Sequence, residues 1–166
     1  MMLRDVVTEH KGWARANFPG ATEADAFTGM QEEAGEMCHA VLKMKQGIRT
    51  NQDHEADFMD GIGDFAIYMI HFCELVGVDF CRVVAGPQRV TEHDRQRRLR
   101  NLCGALASVH SAMDYTHGDM NHALVSLGNR LKEVCGSQYD FNGIVLETWA
   151  QVKERDWKEN PETGRA

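Results

Sequence analysis

Residues 54–76 read HEADFMDGIGDFAIYMIHFCELV. Phe58, Ile62, Phe65, Met69, Phe72 and Leu75 recur at intervals of three or four, the period of one helix face. The pattern predicts a helix that opens at Asp53 or His54 and stops at Gly77. The longest apolar run of the chain, Phe65 to Phe72, lies inside it and is broken at its end by His71. That run is far short of the roughly 18 to 20 apolar residues a membrane span needs.

Working outward, the same period continues in both directions. Leu3, Val6, Val7 and Trp13 mark a helix over 3–16, broken by Asn17-Phe-Pro-Gly20. Thr22 or Asp25 opens a second helix that runs to about Lys45, with Phe27, Met30, Met37, Val41 and Met44 near one face. Two more helices are expected over 92–115 and 119–135, separated at His117-Gly118, and a last one over 140–158, ended by Asn160-Pro161. Strand signals are nearly absent. The reading is an all-α chain, most simply an antiparallel helical bundle. Gly77-Val-Asp-Phe80 and Ser137-Gln-Tyr-Asp-Phe141 echo each other, as a worn duplication or as the two edges of an insertion.

The 166 residues predict a single domain, and 43% apolar with 26% charged residues is ordinary globular composition. The N-terminus carries Arg4 and Asp5 and no continuous apolar stretch, so it is not a secretory signal, and a cytoplasmic location is the default expectation. The net charge of −7 argues against duplex nucleic acid as a partner, because phosphate binding needs a basic surface. Five cysteines with no CxxC pair read as buried, reduced thiols.

The chemistry concentrates in the second and third helices. Gln31-Glu32-Glu33-Ala34-Gly35-Glu36 places Glu33 and Glu36 three apart and Glu32 and Glu36 four apart, so they share a face. Asp57, Asp60 and Asp64 repeat this arrangement on the third helix. Both stripes adjoin apolar residues, and no lysine or arginine falls within 31–42 or 55–81. Carboxylates beside a core are costly unless paired or bound to metal. An all-oxygen set of this kind suits Mg2+ or Mn2+. Gly35, Gly61 and Gly63 are unusual inside helices and point to a close approach of another helix or of a ligand.

Glu32-Glu33-x-x-Glu36, the basic turn Lys43-Met-Lys45-Gln-Gly-Ile-Arg49 and Asp60-x-x-x-Asp64 together resemble the MazG-like, all-α nucleoside triphosphate pyrophosphatase family. Trp13-Ala-Arg-Ala-Asn-Phe-Pro19 and the stretch from Glu147 to Pro161 add to the resemblance, which covers about 1–80 and 140–163. It implies Mg2+ held by Glu33, Glu36 and Asp64, with Glu32 ligating or orienting the attacking water. It also implies hydrolysis of a nucleoside triphosphate to the monophosphate and pyrophosphate. The family's second motif is Glu-x-x-Asp; here Gly61 stands at its first position and Asp60 is the available substitute. Lys153, Arg155 and Lys158 are candidates to neutralise the leaving pyrophosphate, and Trp13 and Phe18 to stack on the base.

Residues 81–139 have no counterpart in the shorter members and read as an inserted helical hairpin that carries no metal ligand; its acids Asp114, Asp119 and Glu133 are scattered. Deleting it would join Phe80 to Asn142 almost seamlessly. Arg95, Arg97, Arg98 and Arg100 form its basic cluster, either a solvated face or a phosphate or partner contact. A homodimer or higher homo-oligomer is expected, because two acid-bearing helices cannot cover their own apolar faces, unless the hairpin does so within the chain. Two other functions are weighed. One is a His-Asp type phosphohydrolase using His71, His93-Asp94 and Asp114; the other is a non-catalytic acidic module for dimerisation or regulation.

Overall fold

The computed structural model describes residues 1–114 and 117–164, with side chains at 117–119 outside the description. Its described residues form helices and no strand, in the order α1 (Leu3–Asn17), α2 (Glu23–Gln46), α3 (His54–Leu75), α4 (Phe80–Val83), α5 (Arg95–Met113), α6 (His117–Val134) and α7 (Phe141–Val152). No described helix is long and apolar enough to cross a membrane.

Local chemistry sets most of the starts. Thr22 caps α2 in a reciprocal box with Asp25, and Asp53, Asp79, Asp94 and Asp140 cap α3, α4, α5 and α7 by accepting from backbone N–H groups. This explains the echo of the two Asp-Phe pairs. In each the aspartate caps a helix and the phenylalanine that follows is buried, so the likeness is one of capping. Gly47 ends α2 in the left-handed conformation at φ 62°, which glycine adopts without a Cβ penalty.

α3 is the central helix: Phe58, Ile62, Phe65, Met69 and Phe72 are fully buried, as the period predicts, whereas Leu75 at its end is exposed. α2 packs along it in antiparallel register, with Gly29 against Tyr68 and Gly61 against Met37. α5 lies antiparallel on the other side of α2, with Phe27 beside His110 and Lys45 donating to Gln96. α1 packs on α3 and α7.

α7 departs from the antiparallel expectation. Tyr139 reaches Glu55, Ile144 and Glu147 share a groove with Asp60, Thr148 meets Gly63, and Val152 shares a cavity with Ile67. Both chains advance together, so α7 runs parallel to α3, and a parallel neighbour needs a crossover connection. The segment from α4 to α6 supplies it. The hydrogen bonds that close this excursion join Gln88 to the carbonyls of Gly136 and Tyr139 and to the Phe141 N–H. The return point is therefore Gln88, eight residues beyond the Phe80 junction suggested by the sequence.

The hairpin is built as its periodicity predicts: Leu99, Leu102, Leu106, Val109, Leu124, Leu127, Leu131 and Val134 are all buried. It packs within its own chain, through α5 on α2. Met37, Ala40 and Val41 of α2 are buried within the single chain, the alternative that the sequence reading left beside a dimer. The arginine cluster is largely spent internally. Arg95 makes two hydrogen bonds to Glu55 (2.7 and 2.9 Å) over the Phe58 ring, Arg97 pairs with Glu92, and Arg98 is buried against Gly136. Glu133 accepts from Thr91 and Arg130 and clamps the loop before α5, while Asp114 is exposed at the end of that helix. The side chain of Asp119 lies outside the described residues. His117, expected in a turn, opens α6, and α7 stops at Val152, short of the expected 158.

Candidate active site

Position 33 falls on the stripe of α2 that faces α3, three residues after Met30 and four before Met37, so packing carries the Glu33 carboxylate inward. Glu33 is only 8% exposed. Asp64 faces it from α3 and is half-buried. Both line one cavity of about 340 Å³ with His10, Trp13, Phe18, Ile67, Tyr68, His71, Val152, Arg155 and Trp157. Glu32, Glu36 and Asp60 are exposed, and their charges act on Glu33 from outside this lining.

The electrostatics follow from that packing. Burial pushes the Glu33 carboxyl up to about 8, and the charges of Asp64, Glu36, Glu32 and Asp60 push the same way. Asp64 is raised to about 6, first by burial and then by Asp60; Arg155 opposes the rise. Tyr68 is raised by burial and by Glu33, and His71 is lowered by burial and by His10. The acids therefore share one field in spite of their separation in sequence.

The C-terminal turns close the cavity. Trp13 Nε1–H donates to the Arg155 carbonyl at 2.9 Å, the Trp157 N–H donates to Asn17 Oδ1 at 2.6 Å, and the Arg155 guanidinium lies 5.9 Å from the Trp157 ring centre. Trp13 also meets Phe18 and Trp149 edge to face. Behind this wall His10 Nδ1 lies 3.1 Å from Glu74 Oε2.

The expected site residues separate into three groups. Glu33, Asp64, Trp13 and Arg155 meet in the cavity; Glu32, Glu36 and Asp60 stand beside it; Lys153 and Lys158 do not line it. Lys153 lies 3.8 Å from Glu9, and Lys158 is exposed. All three basic candidates lie in the turns after α7 rather than on a helix, because α7 ends at Val152. Gly61 has a packing reason: a Cβ there would stand 2.8 Å from Met37 Cγ and 3.5 Å from the Glu33 carbonyl. A side chain at 61 would require Met37 to shift between α2 and α3, whereas Asp60 beside it is exposed and meets no such neighbour. Gly63 likewise faces Thr148, but Gly35 has no heavy atom within 4 Å of a Cβ and marks no close approach.

Tyr68, His71, His10 and Trp157 were not assigned to this site from sequence. The signal exists for two of them, since Asp64, Tyr68 and His71 follow at i, i+4 and i+7 on one helix face. The His-Asp constellation is not assembled: His71 lies with His10, whereas Asp94 and Asp114 cap opposite ends of the 19-residue α5, about 30 Å apart at 1.5 Å per residue.

In kind, the donors fit a hard divalent cation: they are carboxylate oxygens whose mutual repulsion is not neutralised by Arg155 alone. Among the described residues, no three histidine, cysteine, aspartate or glutamate side chains stand ready around one ion. An ion would have to draw Glu36 or Asp60 inward, and Glu33 would have to release its proton.

A pH prediction follows. Below about 4.5 both folded and unfolded chains keep the Glu33 proton, and above about 8 both have lost it. Between these limits the unfolded chain ionises and the folded chain does not, so stability falls as pH rises. Without divalent cations, the stability of wild type relative to Glu33→Gln should fall by on the order of 2 kcal/mol from pH 5 to pH 8. Urea unfolding of both proteins at each pH measures it; parallel profiles would show that Glu33 ionises normally.

Comparison with family models, curated proteins and solved structures finds no match to this chain.

Proposed function

We propose that this protein is an Mg2+-dependent nucleotide pyrophosphohydrolase that converts a nucleoside or deoxynucleoside triphosphate to the monophosphate and pyrophosphate, in the manner of the MazG-like enzymes its acid motifs resemble. One observation carries the reading: a buried, proton-holding Glu33 shares a cavity with Asp64, a single lining arginine and an aromatic wall. Glu33, Glu36, Asp64 and Asp60 are the residues that would hold the metal. When bound, Mg2+ supplies offset of the triphosphate charge and a water of lowered pKa. Glu32, exposed beside Glu33, is the group that accepts the proton of the attacking water. Arg155 neutralises the departing pyrophosphate, and Trp13 with Phe18 presents ring surface to the base.

The test is an assay of the common ribo- and deoxyribonucleoside triphosphates with Mg2+ and with a chelator, scoring pyrophosphate and inorganic phosphate separately. The reading expects monophosphate and pyrophosphate in equal amounts, only with the metal. Release of inorganic phosphate alone would mark a different hydrolase, and no turnover of any substrate would favour the non-catalytic acidic module.

The basic residues give a sharper prediction. Arg155→Ala should raise KM about tenfold or more, since it removes the cation of the cavity wall. Lys158→Ala should leave kinetics unchanged and stability within about 0.5 kcal/mol, as for an exposed surface residue. Steady-state kinetics on both variants checks it; equal effects would take the assignment away from Arg155.

A further inference from the structure

Cys38 on α2 and Cys103 on α5 line one groove at the seam between these helices, and the antiparallel register that sets Lys45 against Gln96 sets position 38 against position 103. The sequence expectation of five buried thiols fails here. Cys73 and Cys135 are buried, but Cys38 and Cys103 are exposed and Cys81 is partly so. The pair lines a groove of about 440 Å³ with Gln31, Leu106 and His110, away from the acidic cavity. The seam is held in register on both sides, by Phe27 against His110 (5.7 Å) and by Lys45 donating to Gln96 (2.7 Å). Gly35 lines the same groove and has no heavy atom within 4 Å of a Cβ position, so the groove is open on the α2 side of the pair.

We propose that Cys38 and Cys103 form a reversible dithiol–disulfide site that reacts with a small disulfide oxidant such as glutathione disulfide and, once bridged, staples α5 to α2. The steps balance. One protein thiolate attacks a sulfur of glutathione disulfide; that S–S bond breaks and one glutathione leaves as its thiolate. The second protein thiolate attacks the protein-bound sulfur of the mixed disulfide, the Cys38–Cys103 bond forms and the second glutathione leaves. The protein gives up two protons and two electrons, and the oxidant becomes two glutathione thiols. Thiols that face one groove from packed helices in opposed register can reach bonding geometry by rotamer adjustment. The bridge closes a loop of about 65 residues, which restricts the unfolded chain. The site stands independently of the nucleotide reading.

The experiment equilibrates the full chain with glutathione disulfide and glutathione at graded ratios, quenches with acid, counts thiols and maps non-reduced peptides by mass spectrometry. Two of the five thiols should disappear per chain, a single Cys38–Cys103 cross-linked peptide should appear within one chain, and dithiothreitol should reverse both. The bridged protein should melt at least about 5 °C higher. Cys38→Ser and Cys103→Ser should each abolish the bridge, and Cys81→Ser should form it as wild type does. Stable glutathione adducts without a bridge, a bridge between two chains, or a bridge through Cys81 would overturn the site. A bridge that leaves the melting temperature unchanged or lowers it would overturn the staple.

Discussion

Glu33→Gln should lower turnover at least about a hundredfold while the protein stays folded and, near pH 8 without metal, becomes more stable. The two effects have one cause. Burial, reinforced by the charges of Asp64, Glu36, Glu32 and Asp60, raises Glu33 to about 8, so its negative charge costs stability until a cation takes it up. Glutamine keeps the shape and removes the charge. Asp64→Asn should match it in turnover, because Asp64 is the other acid of the cavity wall. Asp60→Asn should weaken Mg2+ affinity in the same direction if Asp60 stands in for an acid at 61. Turnover and melting temperature measured on the same preparations separate this account from a structural one. A variant that loses activity and stability together has lost the fold, whereas loss of activity with a gain in stability is the mark of a charged metal site. Near-normal turnover in both Glu33→Gln and Asp64→Asn would remove the assignment.

The largest expected loss of stability is at Trp149. This side chain is 1% exposed and lies where α1, α3 and α7 meet. Its ring is 5.8 Å from that of Trp13 and 5.6 Å from that of His10, and its Nε1–H donates to Glu9 Oε2 at 2.8 Å. Trp149→Ala should cost about 3–5 kcal/mol, from lost burial and the cavity left behind. Trp149→Phe retains most of the apolar volume and loses the hydrogen bond, so it should cost about 1–2 kcal/mol. Because Trp149 backs Trp13, the alanine variant should also raise KM. Urea unfolding gives the stabilities; a cost under about 1 kcal/mol for Trp149→Ala would contradict the packing described.

Much of the fold was legible because the chain announces it locally. The period of three and four in α3, the caps at Thr22 and the aspartates, and Gly47 all act over a few residues, and each helix forms close to where they place it. The pairing of the acid stripes was also legible, since Glu33 and Asp64 each sit on a core-facing stripe. What the sequence conceals depends on long-range packing. Arg155 lies 91 residues from Asp64, so the absence of basic residues around the acids could not show where their cation comes from. The parallel placement of α7 depends on how the α4–α6 excursion returns, and periodicity carries no direction. Cys38 and Cys103 are similar: composition suggested buried thiols, but each lies at the groove where two helix surfaces diverge. Gly61 shows the reverse case, in which a departure from a motif acquires a reason only once Met37 is seen opposite it.

The most direct measurement is a single turnover with a triphosphate substrate in heavy-oxygen water with Mg2+, followed by mass analysis of both products. Attack at the α-phosphorus places the label in the nucleoside monophosphate and leaves the pyrophosphate unlabelled, and Glu33→Gln should abolish this incorporation. Label in inorganic phosphate or in pyrophosphate, or unchanged incorporation in the Glu33 variant, would contradict the proposed chemistry of this cavity.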